Sequence, residues 1–293
     1  MKYLVKSNSL LLRYLLDNVK GKSKNNIKSI LKNGCVSVNG KIITRYDYEL
    51  NSGDVIIVTN YYNGNDNKFD ILYEDNYLIA VNKRENLLTV STDKEKNNTL
   101  YRYVSNYVKS KNKNNKIFIV NRLDRDTSGI VIFAKNKDIK EYMQNNWERD
   151  IKLRKYIAVV DGVTDSCGII KSYLKENNIH IMYSSNDGLL AITEYKLIKQ
   201  NNKYSMLEVI LHTGRKNQIR VHMNDIKHPV IGDTKYSNTV SPIKRMCLHA
   251  IEIKFVHPVN KNIINIKTNF PDVFNKMFDY KSYSSSFFCE FLL

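Results

Sequence analysis

The sequence has few cysteines and no long apolar segment. The four cysteines are scattered at Cys35, Cys167, Cys247 and Cys289, with no C-x-x-C pair and no ligand-like clustering. This pattern argues against a structural zinc site and a disulfide scaffold, and it fits a reducing cytoplasm. No apolar run approaches the roughly 20 residues that a membrane-spanning helix needs. We therefore expect a cytoplasmic protein with no membrane segment.

Signals for export and for cofactors are also missing. The apolar run from Leu10 to Leu16 is interrupted by Arg13 and Tyr14, and no small-residue cleavage site follows, so we expect no signal peptide. There is no glycine-rich phosphate loop and no H-E-x-x-H metal motif. The histidines show no spacing typical of a metal site. We expect no cofactor and no metal.

Positive charge, in contrast, is in large excess. The chain has 46 Lys and Arg residues against 29 Asp and Glu, which gives a formal net charge of +17. A protein this basic is attracted to polyanions, and nucleic acid is the commonest polyanion in a cell. The alternative is a basic solvated surface without a specific partner.

The 293 residues suffice for one sizeable core and a small additional domain. Composition and pattern change along the chain. We predict a small αβ domain over residues 1–60, a polar Gly/Asn-rich linker over 61–69, and a larger domain over 70–293.

The N-terminal 60 residues combine two helical patterns with short strands. Leucines from Leu10 to Leu16 have helical spacing, and Ser23 can cap a second helix that Asn33-Gly34 ends. Val36 and Val38 then alternate as in a strand, and Asn39-Gly40 is a strong hairpin signal. A last strand is predicted over residues 54–59.

The segment 23–58, SKNNIKSILKNGCVSVNGKIITRYDYELNSGDVIIV, resembles the S4 RNA-binding domain. Shared features are two basic helices, a V-x-V-N-G hairpin and a G-D-x-I strand. The resemblance implies that the helical face binds RNA backbone, and by position it would do so through Arg13, Lys24, Lys28 and Lys32. Any one of these side chains, taken singly, is equally well an ordinary solvated charge.

From Asp70 the pattern changes to many short β-rich runs with a few helices. Examples of strands are 78–81, 130–134, 156–160 and 207–211, and helices are predicted near 99–109, 138–147 and 216–223. Strands dominate, so we expect an α+β fold with a large central mixed or mainly antiparallel sheet flanked by helices.

The densest polar motif is N-R-L-D-R-D-T-S-G at residues 121–129, between two apolar runs. Two carboxylates and two guanidinium groups within five residues are costly to bury unless they are paired. The motif is therefore either a charged surface turn or an organised polar site.

Four further motifs follow in order. They are R-K-Y-I-A-V-V at 154–160, T-G-R-K-N-Q-I-R-V-H at 213–222, H-P-V-I-G-D at 228–233 and L-H-A at 248–250. Singly, each has a structural explanation, since His222, His228 and His249 could simply form hydrogen bonds and Tyr156 could pack in a core.

Together, R-L-D-x-x-T-S-G, K-x-Y-x-A-x-V, T-G-R-x-x-Q-I-R-V-H, H-P-x-x-G-D and L-H-A resemble the RluA family of pseudouridine synthases over roughly residues 70–270. The resemblance implies an enzyme that isomerises uridine to pseudouridine in structured RNA, without a cofactor. Many family members that modify ribosomal RNA also carry an S4 domain. We therefore expect large-subunit ribosomal RNA as the substrate, with transfer RNA also open, and a monomeric protein.

The resemblance also implies roles for individual residues. Asp124 matches the catalytic aspartate, Tyr156 the aromatic residue that stacks on the target base, and Arg220 the basic residue that pairs with the aspartate. Arg122 matches the arginine that enters the space left by the base, and we count Arg215 among the substrate-binding residues. These roles fit the cost of a few kcal/mol for extruding a base and the need for an ionised nucleophile.

The chain departs from the family pattern at three places. Asn121 and Asn217 stand where the family usually has His, and an amide can retain a donor and an acceptor but cannot transfer a proton. The family's K-P-x-G loop reads Lys83-Arg84-Glu85-Asn86, which suggests a differently shaped loop.

Two other functions remain open at this point. One is a non-catalytic RNA-binding or ribosome-assembly factor on the same fold, which the two asparagines favour. The other is a base-excising glycosidase or nucleosidase, which typically needs a second carboxylate to activate water, with Asp126 as the nearest candidate.

Overall fold

The protein is described by a computed structural model that covers residues 1–19, 21, 23–32, 34–58, 69–93 and 95–278. Cys289 and all of the predicted linker except Phe69 lie outside the described residues. The chain divides into two compact units. One comprises Met1–Leu123 with Val131–Gln144, and the other comprises Asp124–Ile130 with the chain from Asn145 onward. The predicted domain boundaries near residues 60 and 70 stay a prediction.

The first unit begins with a small αβ region. Its elements are β1 (Lys2–Leu4), β2 (Ser9–Leu10), α1 (Leu11–Asn18), α2 (Lys24–Lys32), β3 (Val36–Val38), β4 (Lys41–Ile42), β5 (Glu49–Leu50) and β6 (Val55–Val58). The strands form an antiparallel sheet in the order β1-β6-β3-β4, and β2 pairs with β5. Leucine, isoleucine and valine side chains from both helices and the strands form its buried core.

The local signals read in this region are found in the structure. The backbone N–H of Asn26 donates to Ser23 Oγ at 3.3 Å, so Ser23 caps α2. Asn39 and Gly40 have φ angles of 50° and 80° and join β3 to β4, as a two-residue hairpin turn requires. The pairing of β1 with β6 had no sequence signal, since β1 is three residues long.

The first unit continues with β7 (Phe69–Glu74), β8 (Leu78–Lys83), α3 (Leu100–Lys111), β9 (Phe118–Ile119) and α4 (Lys137–Asn145). Strand β10 runs over Ser128–Ala134, and its part from Val131 onward belongs to this unit. Thr99 caps α3 by accepting a hydrogen bond from the Arg102 N–H at 3.2 Å. The helix predicted near 138–147 corresponds to α4, which ends at Asn145.

The second unit contains α5 (Trp147–Asp150), β11 (Ile151–Asp161), β12 (Cys167–Glu176), β13 (Met182–Ser185), β14 (Leu189–Gln200), β15 (Tyr204–Leu211), α6 (Gln218–Asp225), β16 (Leu248–Val256), β17 (Ile263–Lys267) and a 3-10 helix (Asp272–Met277). The strand order is β13-β12-β14-β15-β11-β16, all antiparallel, with β17 antiparallel to β16. The start of β10 pairs with β16 in parallel, so the sheet is mixed.

Both faces of this sheet are covered. On one face, Ile219 and Met223 of α6 pack against apolar residues of β11, β14 and β15. On the other, Phe274 and Met277 of the 3-10 helix pack against β11 and β15. A mainly antiparallel sheet with helices packed on it confirms the α+β prediction. No helix in the described ranges is long and apolar enough to cross a membrane.

The turn from the polar motif into β10 depends on a glycine. Gly129 has a φ angle of 118°, and a Cβ atom there would collide with the backbone of Ala250 on β16. The parallel pairing of Ser128 and Gly129 with His249 and Ala250 thus brings the two backbones too close for any other residue. The S-G and L-H-A motifs are one structural unit, and Asp124 lies four residues before it.

Candidate active site

Asp124 is the centre of a polar cluster within the second unit. Its Oδ2 atom accepts two hydrogen bonds, from Arg220 Nη1 at 2.9 Å and from Asn217 Nδ2 at 2.5 Å. Among the described residues, none donates a hydrogen bond to Oδ1. The side chain is 36 % exposed, whereas that of Arg220 is 7 % exposed. One carboxylate oxygen is thus anchored while the other is free for a substrate.

Arg220 also pairs with a second carboxylate, that of Asp233. Asp233 accepts a pair of hydrogen bonds from Arg220 Nε and Nη2, both at 2.7 Å, and its side chain is only 1 % exposed. Burial alone would lower the pKa of Arg220, but the hydrogen bonds and charge of Asp233, together with Asp124, raise it overall. A fork-like pairing of this kind fixes the plane of the guanidinium group.

The motif H-P-x-x-G-D explains why Asp233 is there. His228 Nδ1 bonds to the Asp161 carbonyl at 2.8 Å, and Gly232 adopts a φ angle of 77° against the Arg245 backbone. Asp233 Oδ1 also accepts from the N–H groups of Lys235 and Tyr236. Sequence reasoning assigned no role to this aspartate, because nothing in the chain order indicates that it meets Arg220.

Asn217 connects Asp124 to a tyrosine that sequence reasoning also missed. Tyr236 Oη donates to Asn217 Oδ1 at 3.1 Å and accepts from the Met182 N–H at 3.1 Å. The guanidinium carbon of Arg220 lies 5.1 Å from the centroid of the Tyr236 ring. Burial raises the pKa of Tyr236, so its hydroxyl remains a donor at neutral pH.

Tyr156 lies on β11, opposite Val209 of β15 and Ala250 of β16. It is half-buried. Burial is the main cause that raises the pKa of its hydroxyl, the positive charge of Arg154 lowers this pKa, and the negative charge of Asp124 raises it. The structure thus joins Asp124 and Arg220 by a direct contact, whereas Tyr156 is linked to Asp124 through the effect of its charge on the tyrosine pKa.

The chain on either side of Asp124 is fixed by buried hydroxyl groups. In the first unit, Thr89 Oγ1 donates to the Leu123 carbonyl at 2.7 Å and accepts from its N–H at 3.3 Å. In the second unit, Ser128 Oγ bonds to His249 Nδ1 at 2.7 Å and to Arg245 Nη2 at 2.6 Å. Burial lowers the pKa of His249 to about 3, so its ring is neutral and can accept from Ser128.

The remaining residues of the T-G-R-x-x-Q-I-R-V-H motif support the turn into α6. Gln218 Oε1 accepts from Thr213 Oγ1 at 2.8 Å and from the Arg215 N–H at 2.9 Å. His222 is fully buried between Thr193 and Ser172, and burial lowers its pKa. These contacts agree with the structural explanation for His222, and the same holds for His228 and His249.

The other predicted residues lie around this cluster or apart from it. Arg215 is half-buried, and its Nε donates to the Leu190 carbonyl at 2.9 Å. Arg154, the first residue of the R-K-Y motif, to which sequence reasoning assigned no role, lies against Gly214 with Nη2 on the Leu211 carbonyl at 3.3 Å. Burial lowers the pKa of Arg154, and Arg215 lowers it further, so the two cations are close.

The remaining residues that the sequence analysis singled out lie in the first unit. Arg122 is exposed, as are Arg13, Lys24 and Lys28, whereas the side chain of Lys32 lies outside the described residues. Asn121 Oδ1 accepts from the Ile132 N–H at 2.8 Å and so supports β10. Asn86 has a φ angle of 57°, the left-handed region that favours glycine, so losing the family's glycine there does not by itself require another backbone.

Both asparagines that stand in place of histidine form hydrogen bonds in the structure. Asn121 serves a backbone N–H, and Asn217 supplies a donor to Asp124. Within the described residues, no group of three or more His, Cys, Asp or Glu side chains could hold a metal ion.

Comparison with known proteins places the chain in a family. Residues 77–225 match the model described as RNA pseudouridylate synthase, and residues 13–56 match the S4 domain. An uncharacterised RNA pseudouridine synthase of Bacillus subtilis is 31 % identical over 209 residues, which cover 70 % of this chain and 69 % of the relative. The ribosomal large subunit pseudouridine synthase D of Vibrio cholerae is 28 % identical, covering 85 % and 84 %.

The fold of the chain is also similar to that of a solved pseudouridylate synthase structure. The solved structure of human RNA pseudouridylate synthase domain containing 4 superposes with a TM-score of 0.58 at 21 % identity, covering 70 % of this chain and 90 % of that one. The chain belongs to the RNA pseudouridylate synthase family. It is an RNA pseudouridine synthase that carries an S4 domain near its N-terminus, as the motifs predicted.

Proposed function

We propose that the enzyme isomerises specific uridines of large-subunit ribosomal RNA and that Asp124 is its nucleophile. The observation that carries the proposal is the asymmetry of the Asp124 carboxylate, whose Oδ2 accepts two hydrogen bonds while Oδ1 accepts none from the described residues. A nucleophile needs an oxygen with available lone pairs, held in a defined orientation.

The reaction detaches uracil from C1′ of ribose at N1 and reattaches it at C5, which loses its proton. A carboxylate could begin by attacking C1′, by attacking the base ring, or by abstracting a ribose proton. Each first step uses an unprotonated oxygen that faces the nucleotide, and Oδ1 of Asp124 is such an atom. Asp233 is not, because Arg220 and two backbone N–H groups occupy it.

The residues around Asp124 suit an extruded nucleotide. Tyr156, half-buried next to Asp124, offers an aromatic face for the base, and stacking on an aromatic side chain is worth about 1–3 kcal/mol per base. Arg122 is exposed two residues before Asp124, which suits a side chain that fills the gap in the RNA. Arg154 and Arg215 bring two positive charges close together, which suits a backbone phosphate.

Ribosomal RNA is favoured over transfer RNA for two reasons. Four of the related proteins, from Vibrio cholerae, Buchnera aphidicola, Blochmanniella floridana and Haemophilus ducreyi, bear the name ribosomal large subunit pseudouridine synthase D. The S4 domain adds a second basic surface, with Arg13, Lys24 and Lys28 exposed on or beside its two helices. Two RNA-binding domains on one chain gain affinity through effective concentration. A monomer in the cytoplasm remains our expectation.

Two rival functions fit the described residues less well. Asn217 still donates to Asp124, so it no longer favours a non-catalytic factor. Asp126 forms no hydrogen bond or ion pair with another described residue, and Asp233 is occupied, so neither carboxylate is arranged with Asp124 as a base for a hydrolytic water.

The test is tritium release from large-subunit ribosomal RNA that is transcribed in vitro with uridine labelled at C5. We expect the wild-type enzyme to release tritium and Asp124→Asn to release none, while RNA binding by the variant is retained. Transfer RNA transcripts, labelled in the same way, serve as the competing substrate. Release from transfer RNA alone would refute the ribosomal assignment, and undiminished release by Asp124→Asn would refute the nucleophile.

A further inference from the structure

Asp124 is held by two donors of different kinds. Arg220 provides charge and is itself fixed by Asp233, whereas Asn217 provides a neutral amide N–H at 2.5 Å. Both donors act on the same oxygen, Oδ2. A single donor would leave the carboxylate free to rotate about its Cβ–Cγ bond, but two donors from different directions define its plane.

The amide of Asn217 has a defined orientation. Its Oδ1 accepts from the Tyr236 hydroxyl, so its NH₂ group must face Asp124. Tyr236 is fixed in turn because its Oη accepts the Met182 N–H, which leaves the hydroxyl proton for Asn217. Donation to the amide oxygen also polarises the amide and strengthens its N–H as a donor.

The backbone delivers Asn217 to this place. Asn217 precedes α6 with φ 54° and ψ 19°, a left-handed conformation that asparagine tolerates better than most residues. The turn is stabilised by Gln218, whose side chain accepts the Arg215 N–H. The Asn217 side chain is therefore supported at both ends, by its backbone turn and by Tyr236.

We infer that Asn217, oriented by Tyr236, is a positioning residue that fixes the rotation of the Asp124 carboxylate so that Oδ1 faces the nucleotide. This inference rests on the proposed role of Asp124 as nucleophile. It adds a neutral relay, Met182 N–H to Tyr236 to Asn217 to Asp124, to the charged pair of Arg220 and Asp233.

The test measures single-turnover rates of tritium release at saturating enzyme, and separately the enzyme concentration that gives half the maximal rate. Asn217→Ala should lower the rate about 30-fold, as expected for losing a hydrogen bond to a charged group, and change the half-saturating concentration by less than about threefold. Tyr236→Phe keeps the ring beside Arg220 but frees the amide, and we expect a loss of about tenfold.

Two substitutions at Asn217 separate positioning from a structural role. Asn217→His retains an N–H donor and should keep most of the rate. Asn217→Asp introduces a carboxylate that donates only when protonated, so its rate relative to wild type should recover as the pH falls from about 8 to about 5. Loss of fold alone would not produce an acid-side recovery, and this profile decides the matter if Asn217→Ala does not fold.

Tyr183→Phe, an exposed tyrosine on β13 next to Met182, is the matched control and should match the wild type in both rate and thermal midpoint. Normal rates for both Asn217→Ala and Tyr236→Phe would overturn the inference, as would a loss confined to RNA binding or a flat pH profile for Asn217→Asp. In those cases wild type remains active and Asp124→Asn inactive, which distinguishes them from a failure of the proposed function, where Asp124→Asn is as active as wild type.

Discussion

Replacing Asp233 by Asn tests the buried ion pair that supports the site. The substitution preserves the shape of the side chain and an oxygen that can accept the N–H groups of Lys235 and Tyr236. It removes the negative charge that Arg220 meets through two hydrogen bonds of 2.7 Å, at a position where the aspartate is 1 % and the arginine 7 % exposed. The remaining carboxylate partner of Arg220 is then Asp124, at 2.9 Å.

The expected cost follows from burial. Removing one partner of a buried pair typically costs about 3–5 kcal/mol, and because Arg220 keeps Asp124 we expect the lower end, about 3 kcal/mol. At about 2–4 °C per kcal/mol for a unit of this size, the thermal midpoint should fall by about 6–12 °C. The single-turnover rate should also fall. Without the Asp233 charge, the Arg220 guanidinium can rotate further toward Asp124, so the Asp124 carboxylate is no longer held in the same position.

The assay is differential scanning calorimetry with Asp187→Asn as control. Asp187 pairs with Lys175 at 2.5 Å, but the two side chains are 66 % and 46 % exposed, so that loss should leave the thermal midpoint nearly unchanged. Because the chain has two compact units, the midpoint of each transition is compared separately. Equal small shifts for both variants would refute the importance assigned to burial of the Arg220–Asp233 pair.

Three further outcomes are expected. Gly129→Ala should lower the free energy of unfolding by about 3 kcal/mol or more in urea titrations, because its Cβ would meet the Ala250 backbone. Gly53→Ala, in an open turn, should lower it by only about 1 kcal/mol. Similar losses for the two variants would contradict the close approach of the Gly129 and Ala250 backbones. Burial holds the pKa of His249 at about 3 against 6.5 in the unfolded chain, so between these values only the unfolded state binds the proton. Stability should therefore fall as the pH drops below 6.5, with His249 contributing up to about 1.4 kcal/mol per unit. His249→Asn should reduce that slope, while the exposed His212→Asn should not. Combined Arg13→Ala, Lys24→Ala and Lys28→Ala should weaken RNA binding and reduce the slope of log K against log salt by about 2, with the rate at saturating enzyme unchanged; an unchanged slope would argue against the S4 contact.

The motifs that carry the chemistry could be read from the chain because they are local. In R-L-D-x-x-T-S-G, Asp124 lies five residues before Gly129, whose positive φ angle is one that other residues rarely adopt. Ser23, Asn39 and Gly40 likewise act on neighbours a few residues away. Such signals depend on short-range geometry, so they survive without knowledge of the fold.

Strands β12, β13, β14 and β17 had no comparable signal. In β12, exposed and partly buried residues alternate, so its sequence lacks a continuous apolar run, and apolar side chains such as Ile169 are 70 % exposed. β12 pairs with β13 and β14, β14 with β15, and β17 with β16, so the partners are close along the chain. What the sequence did not indicate was the strands themselves, because strand propensity depends on side-chain packing in the assembled sheet.

The sequence by itself determined the family, the S4 domain, and the identity of Asp124, Tyr156 and Arg220 as candidates. Only the tertiary structure decided what surrounds Asp124. Asp233 lies 13 residues from Arg220 and Tyr236 lies 19 from Asn217, while Asn217 itself lies 93 from Asp124. These contacts cannot be predicted from the order of residues along the chain. They form where the loop after β15, the turn beyond α6 and the segment before β10 come together. The same geometry makes Asn217, a departure from the family pattern, a hydrogen-bond donor to Asp124.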